Sequence, residues 1–226
     1  MKAKTLATCL TLAILALPLA AAQSGYFASK ADERAGHLTP GNPPAGPTLR
    51  VGGNTCAAAL AIANPGAATF TDSGTTVGAD NTVQSVRAGC SDYTTTAGPD
   101  VIYQFDLGPV AARGTPLTIT VTPTLASFDP AIYTLSTAAP GCPAGTGATL
   151  VANCVNGADS GLANAPETIT DAETDAMAAG HYFLFVDSFY AAGASCPQGG
   201  LCGDGTYNLS FGTGPFPVEL MNFQID

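Results

Sequence analysis

Six cysteines (Cys56, Cys90, Cys142, Cys154, Cys196 and Cys202) are spread through a chain whose apolar residues recur at every second position. That pairing restricts the fold more than any other feature. The set is even and contains no CxxC pair, so it reads as disulfides rather than as a zinc site. Sequence alone does not choose among the possible pairings, and the economical expectation joins neighbours: Cys56 with Cys90, Cys142 with Cys154, and Cys196 with Cys202. In the chain-entropy account, closing the first loop contributes about 3 to 4 kcal/mol and the last about 2. The bridges would then brace loops around a core rather than replace one.

The seventh cysteine, Cys9, lies in residues 1–22, which have the parts of a secretory signal: Lys2 and Lys4, an apolar run over 6–19, and Ala20, Ala21 and Ala22 as a cleavage site. The run is too short and Ala-rich for a spanning helix, and no later segment reaches the roughly 18 consecutive apolar residues a crossing needs. An exported protein, periplasmic or extracellular, without a transmembrane segment in the mature chain is therefore expected. Residues 23–48 form a Pro-rich linker, with Pro40, Pro43, Pro44 and Pro47 close together, where neither helix nor ladder continues. The folded domain is expected over 49–226.

Removing the leader deletes two of the seven basic residues and leaves five against 17 acidic ones, a balance of −12. Nucleic acid and anionic membrane are poor partners for such a chain. Only 11% of the residues are charged, so the surface must consist mainly of Thr, Ser, Asn and Gly.

Within the domain the period is two. Residues 100–107 place Val101, Tyr103, Phe105 and Leu107 on one face. Residues 117–122 turn Leu117, Ile119 and Val121 inward and Thr118, Thr120 and Thr122 outward. Stretches 131–136, 181–188 and 206–211 repeat the pattern, with weaker candidates at 67–71, 148–152 and 167–170. Gly and Pro punctuate the gaps and no long 3.6-residue period occurs, which predicts an all-β fold, an antiparallel β-sandwich stapled by disulfides. One or two helical turns are expected at 171–178. The alternation over 216–225 skips a beat at Met221 and predicts a bulged strand, either an edge of the same sandwich or a tail that adds to a neighbour by self-association.

Several fragments in order (Gly53-Asn54-Thr55-Cys56, Gly98-Pro99-Asp100-Val101-Ile102-Tyr103-Gln104-Phe105, Phe128-Asp129-Pro130-Ala131-Ile132-Tyr133, Gly180-His181-Tyr182-Phe183-Leu184 and Gly205-Thr206-Tyr207-Asn208-Leu209) resemble the bacterial pre-peptidase C-terminal domain. The likeness runs over about 53–212. It implies a jelly-roll-like sandwich appended to exported bacterial enzymes, some members of which bind calcium or insoluble polymers. This chain has no catalytic domain ahead of the module, and its loops around Cys142 to Cys154 and Cys196 to Cys202 carry cysteines that a minimal member lacks. Independently of the family, Asp100 and Asp129 stand at strand starts, where a carboxylate accepts hydrogen bonds from turn N–H groups.

Catalytic patterns are scarce. The two histidines, His37 and His181, are far apart in sequence, so HExxH is impossible, and Gly157-Ala158-Asp159-Ser160-Gly161 misses the G-x-S-x-G elbow by a position. Asp171, Glu173 and Asp175 fail as a calcium hand, because Ala176 stands where Gly is needed and Tyr182 where a bidentate Glu is needed. A looser calcium site from Asp72, Asp80, Asn81 and Asp92 is the metal candidate. There is no Trp to stack on sugars, and Tyr190, in a Gly- and Ala-rich loop before Cys196, is the aromatic expected to face a ligand. The chain reads as a non-enzymatic module that contacts an extracellular polysaccharide or protein surface through its disulfide-pinned loops.

Overall fold

The computed structural model describes residues 53–62, 69–113, 116–138, 141–196 and 199–213. The leader, the linker and the 216–225 stretch lie outside them. In chain order the strands are β1 (Leu60–Ile62), β2 (Phe70–Thr75), β3 (Val101–Leu107), β4 (Leu117–Pro123), β5 (Pro130–Ser136), β6 (Cys154–Ala158), β7 (Glu167–Ile169), β8 (Gly180–Ser188) and β9 (Thr206–Thr213), with, among the described residues, one short α-helix, α1 (Asp171–Asp175), and two 3-10 turns. They make two packed sheets, β1-β3-β8-β5-β6 and β2-β9-β4-β7. The chain passes repeatedly between the layers, so this is a jelly-roll-like β-sandwich. All strand pairs are antiparallel except β1 with β3, which is parallel.

The main core lies between the sheets. Val101, Tyr103, Phe105 and Leu107 meet Leu117, Ile119, Val121, Leu209 and Phe211, all of them buried. Phe105 sits edge-on to Phe211 at 5.4 Å and stacks beside Tyr182 at 5.8 Å. Each such side chain contributes roughly 1.5 to 3 kcal/mol by leaving water.

A second apolar layer covers the other face of the five-stranded sheet. Ile102, Tyr133, Leu135 and Phe185 pack beneath Val83, Val86, Cys90 and Val151, which belong to a cap formed by residues 76–100 and 141–153. Tyr133 and Phe185 stack at 5.1 Å. Burial on both faces explains why β5 reads Pro-Ala-Ile-Tyr-Thr-Leu without polar alternation.

The cysteine pairing differs from the neighbour expectation at two of its three bridges. Cys56 joins Cys142 and Cys90 joins Cys154, with Cα separations of 6.2 and 5.7 Å; only Cys196 with Cys202, at 5.3 Å, follows it. The reason is the cap. Gly53 bridges to Ile102 on β3, which sets Cys56 against the 141–153 loop, while Cys90 packs beside the start of β6. The two long bridges interleave in sequence and tie both cap segments to the sheet.

Residues 148–152 do not form the expected strand. Ala148 and Val151 make isolated parallel bridges to Val83 and Val86, and Leu150 between them has φ 49°, which interrupts extended backbone. The ladder begins after it, at Cys154. Helix α1 is started by a capping box: the Thr170 hydroxyl accepts from Glu173 N–H while the Glu173 carboxylate accepts from Thr170 N–H at 2.7 Å.

Candidate contact face

With one sheet capped, the outer face of β2-β9-β4-β7 is the uncovered one. Its outward positions are Thr71 and Ser73 on β2, Thr206, Asn208, Ser210 and Gly212 on β9, Thr118, Thr120 and Thr122 on β4, and Thr168 on β7. Strand alternation puts them there: the intervening Tyr207, Leu209, Phe211, Ile119, Val121 and Ile169 are buried in the core. Every outward side chain beyond the lone Gly is a hydroxyl or an amide. Among the described residues no charged side chain stands at an outward position of this face; one carboxylate, Asp72, reaches the groove from an inward position of the edge strand β2.

Register turns these residues into rows. Thr71 lies opposite Ser210, Ser210 opposite Thr120, and Thr120 opposite Thr168; the next row joins Ser73, Asn208 and Thr122. Neighbours in a row are about 4.8 Å apart and successive rows about 6.7 Å apart. Cross-strand hydrogen bonds hold several in place: Ser73 Oγ donates to Asn208 Oδ1 at 2.8 Å, Thr120 and Thr168 hydroxyls meet at 3.1 Å, and Thr124 Oγ1 donates to Thr206 Oγ1 at 2.7 Å. Sheet twist leaves an open groove of about 560 Å³ lined by Thr71, Asp72, Ser73, Thr122, Asn208, Leu209 and Ser210. A hydroxyl offers one donor and two acceptor positions and an amide offers both kinds, so the array matches any neutral group that both gives and takes hydrogen bonds.

Beneath one edge of the groove runs a fixed polar chain. Tyr103 Oη donates to Asp72 Oδ2 at 3.0 Å and lies 3.0 Å from Tyr207 Oη. Burial pushes both phenols above their ordinary pKa, so they stay protonated donors. Asp72 Oδ1 accepts from Ser73 N–H at 2.8 Å.

The other sequence candidates separate. Asp72 is held in that chain. Asp80 is bound to Asn54, whose Oδ1 accepts from Asp80 N–H at 2.6 Å, and Asn81 Nδ2 donates to Ala97 O at 2.7 Å. Asp92 lines a second groove, of about 360 Å³, with Gly157, Ser160, Thr168, Thr170 and Glu173; it adjoins the β7 end of the sheet face. Among the described residues no group of three or more His, Cys, Asp or Glu side chains is placed to hold a metal ion.

Tyr190 is a correction. It is 2% exposed, not a surface aromatic, and packs edge-on against Phe189 at 5.0 Å beneath the turn closed by Cys196 and Cys202. The small residues around it read as an open loop, whereas they let the stapled turn fold down over the ring. His181 stands on β8, a central strand; its Nδ1 lies 2.8 Å from Asp106 Oδ1 on β3 and its ring meets Phe183 edge-on. Among the described residues no helix is long and apolar enough to cross a membrane. No protein-family model, no curated protein and no solved structure matches the chain.

Proposed function

We propose that this protein is an exported, non-catalytic module that holds a neutral, hydroxyl-rich extracellular polymer, of the polysaccharide class, against the open face of its four-stranded sheet. The observation that carries the reading is the contrast between a chain of net charge −10, −12 without residues 1–22, and a sheet face with no charge at its outward positions. A charged ligand finds there only the Asp72 carboxylate, whose oxygens already accept from Tyr103 and Ser73 N–H. A polyol gains a hydrogen bond at each row, and exposed hydroxyls already fixed across strands lose little freedom on binding.

Size favours a polymer over a compact protein partner. Three interstrand steps of about 4.8 Å and two or three row steps of about 6.7 Å give a footprint on the order of 250 Å². A standard stable protein complex buries about 800 Å² on each partner. A small, regular face is suited to a repeating ligand, where many weak contacts add by avidity. Export accords with the N-terminal signal pattern and with three cysteine pairs at bridging distance. The resemblance to exported accessory domains points the same way. In this reading the disulfide-braced cap stiffens the module and the sheet face makes the contact, in place of the loops expected from sequence.

Sedimentation with microcrystalline cellulose, chitin or starch granules tests it. The protein should be depleted from solution by at least one of these. A triple variant Thr71→Ala, Thr120→Ala, Ser210→Ala should weaken retention about tenfold or more, equivalent to about 1.4 kcal/mol. Asp92→Asn with Glu173→Gln, in the other groove, should not. Absence of binding to all three polymers, or full retention by the triple variant, refutes the proposal.

A further inference from the structure

The capped face of the five-stranded sheet holds an unusual row. In the β3/β8 register Val101 faces Val186, in β5/β8 Ala131 faces Asp187, and in β5/β6 Ile132 faces Ala158. One step on, the row reads Asp100, Asp187, Ala131, Asp159, with the carboxyls on the cap side. All three acids are fully buried. Like charges opposite one another on adjacent strands repel, and burial removes the water that would screen them.

Around Asp100 and Asp187 the groups named among the described residues are hydroxyls, backbone N–H groups and further buried carboxylates, Asp159 and Asp129. Tyr133, from β5, donates to Asp187 Oδ2 at 2.7 Å, and Asp187 Oδ1 accepts from Ser188 N–H at 2.6 Å. From the cap, Thr82 and Val83 N–H groups donate to Asp100 Oδ2 at 2.6 and 3.0 Å, and Asp80 adds another negative charge nearby. Asp100 Oδ1 is buried and has no hydrogen-bond partner among the described residues. The described basic residues are engaged elsewhere: Arg87 with Cys154 O, Arg113 with Gly108, Thr174 and Met177 carbonyls, and His181 with Asp106.

We propose that Asp100 and Asp187, facing each other across β3 and β8, are a proton-binding pair that ties the junction between cap and sheet to acidity, so that the folded domain takes up protons from mildly acidic medium and loosens toward neutrality. A proton taken from solvent onto a carboxyl oxygen removes one charge and creates an O–H donor among acceptors. The cap segment hangs on Asp100, whose own N–H donates to Asp80 O at 2.8 Å while its carboxyl holds Thr82 and Val83. Burial pushes Asp100 up to about 6 against the opposing Val83 and Thr82 hydrogen bonds, and burial followed by the Asp100 charge pushes Asp187 well above the carboxylate range. Raised folded-state values mean the folded protein binds more protons than the unfolded chain. The stabilisation is complete below about pH 4 and is lost as pH rises through about 6 and beyond.

Thermal unfolding followed by circular dichroism from pH 4.5 to 7.5, at fixed ionic strength and with chelator present, reads this directly. Tm should fall by about 5 °C or more across the range. Asp187→Asn, which mimics the neutral acid, should reduce that slope, leaving the part carried by Asp100, and raise Tm at pH 7.5. A wild-type Tm that is flat or rises toward neutrality, or an undiminished slope in Asp187→Asn, overturns the proposal. Carboxyl 13C titration of the unmodified protein provides a check that needs no variant: at least one aspartate should titrate near 6 or above, and titration of every aspartate below 4.5 overturns it too. Calcium added at pH 7.5 should leave Tm unchanged; a calcium-dependent rise reversed by chelator would mean that the row holds a cation in place of protons.

Discussion

Gly74 on β2 lies opposite Tyr207 on β9, and a Cβ built on Gly74 would overlap the Tyr207 hydroxyl. That hydroxyl is 3.0 Å from Tyr103 Oη, which in turn donates to Asp72. The bare Cα therefore makes room for the polar chain that pins β2 to the core beneath the open face. Gly74→Ala should destabilise the fold by about 1 to 3 kcal/mol through overpacking. Chemical denaturation of the variant measures the loss, and an unchanged midpoint would show that the Tyr207 ring moves aside freely.

The interleaved bridges predict a particular peptide map. Digestion without reduction should yield Cys56 linked to Cys142 and Cys90 linked to Cys154. Their sequence separations of 86 and 64 residues place each at about 4 to 5 kcal/mol in the chain-entropy account, against about 2 for the short Cys196–Cys202 loop. Replacing Cys90 and Cys154 by Ser should accordingly cost more stability than replacing Cys196 and Cys202. The reverse order in urea unfolding would contradict the assignment.

Arg113 is buried and donates to Gly108 O at 2.7 Å, Thr174 O at 2.6 Å and Met177 O at 2.7 Å. It joins the turn after β3 to the turn that ends α1. Arg113→Ala should lose about 3 kcal/mol, because the Gly108 and Met177 carbonyls lose their donor, while Thr174 O keeps the Met177 N–H at 3.1 Å. Arg113→Lys should recover only part of this, since one ammonium does not span three carbonyls as the guanidinium fork does. Equal stability of the Lys variant and the parent would refute that account.

How far the sequence discloses this molecule depends on what kind of contact is asked for. Local alternation reveals β4 completely: Leu117, Ile119 and Val121 in, the threonines out. It also exposes the start of α1 at residue 171. It misses β6, where Cys-Val-Asn-Gly-Ala carries neither periodicity nor β-branched density, and β1, three residues within an Ala-rich stretch. The outward threonines of β4 are legible singly. Their alignment with Thr71, Ser210 and Thr168 is not, because it depends on which distant strands pair. The cysteine pairing fails for the same reason: a cap laid across a sheet brings together residues that local economy keeps apart.

Tyr190 gives the sharpest contrast between a loop reading and the packed result. With Phe189, Ala194, Cys196 and Cys202 it forms a small apolar cluster, joined by Tyr93, whose ring meets Phe189 at 5.6 Å. Tyr190→Ala should therefore act on stability, by about 3 kcal/mol or more as for a buried aromatic truncation, and should leave polysaccharide retention at the sheet face unchanged at temperatures where the variant is folded. Urea unfolding and the sedimentation assay, run on the same preparation, separate the two effects. Loss of retention in a fully folded Tyr190→Ala protein would return the contact site to the loops.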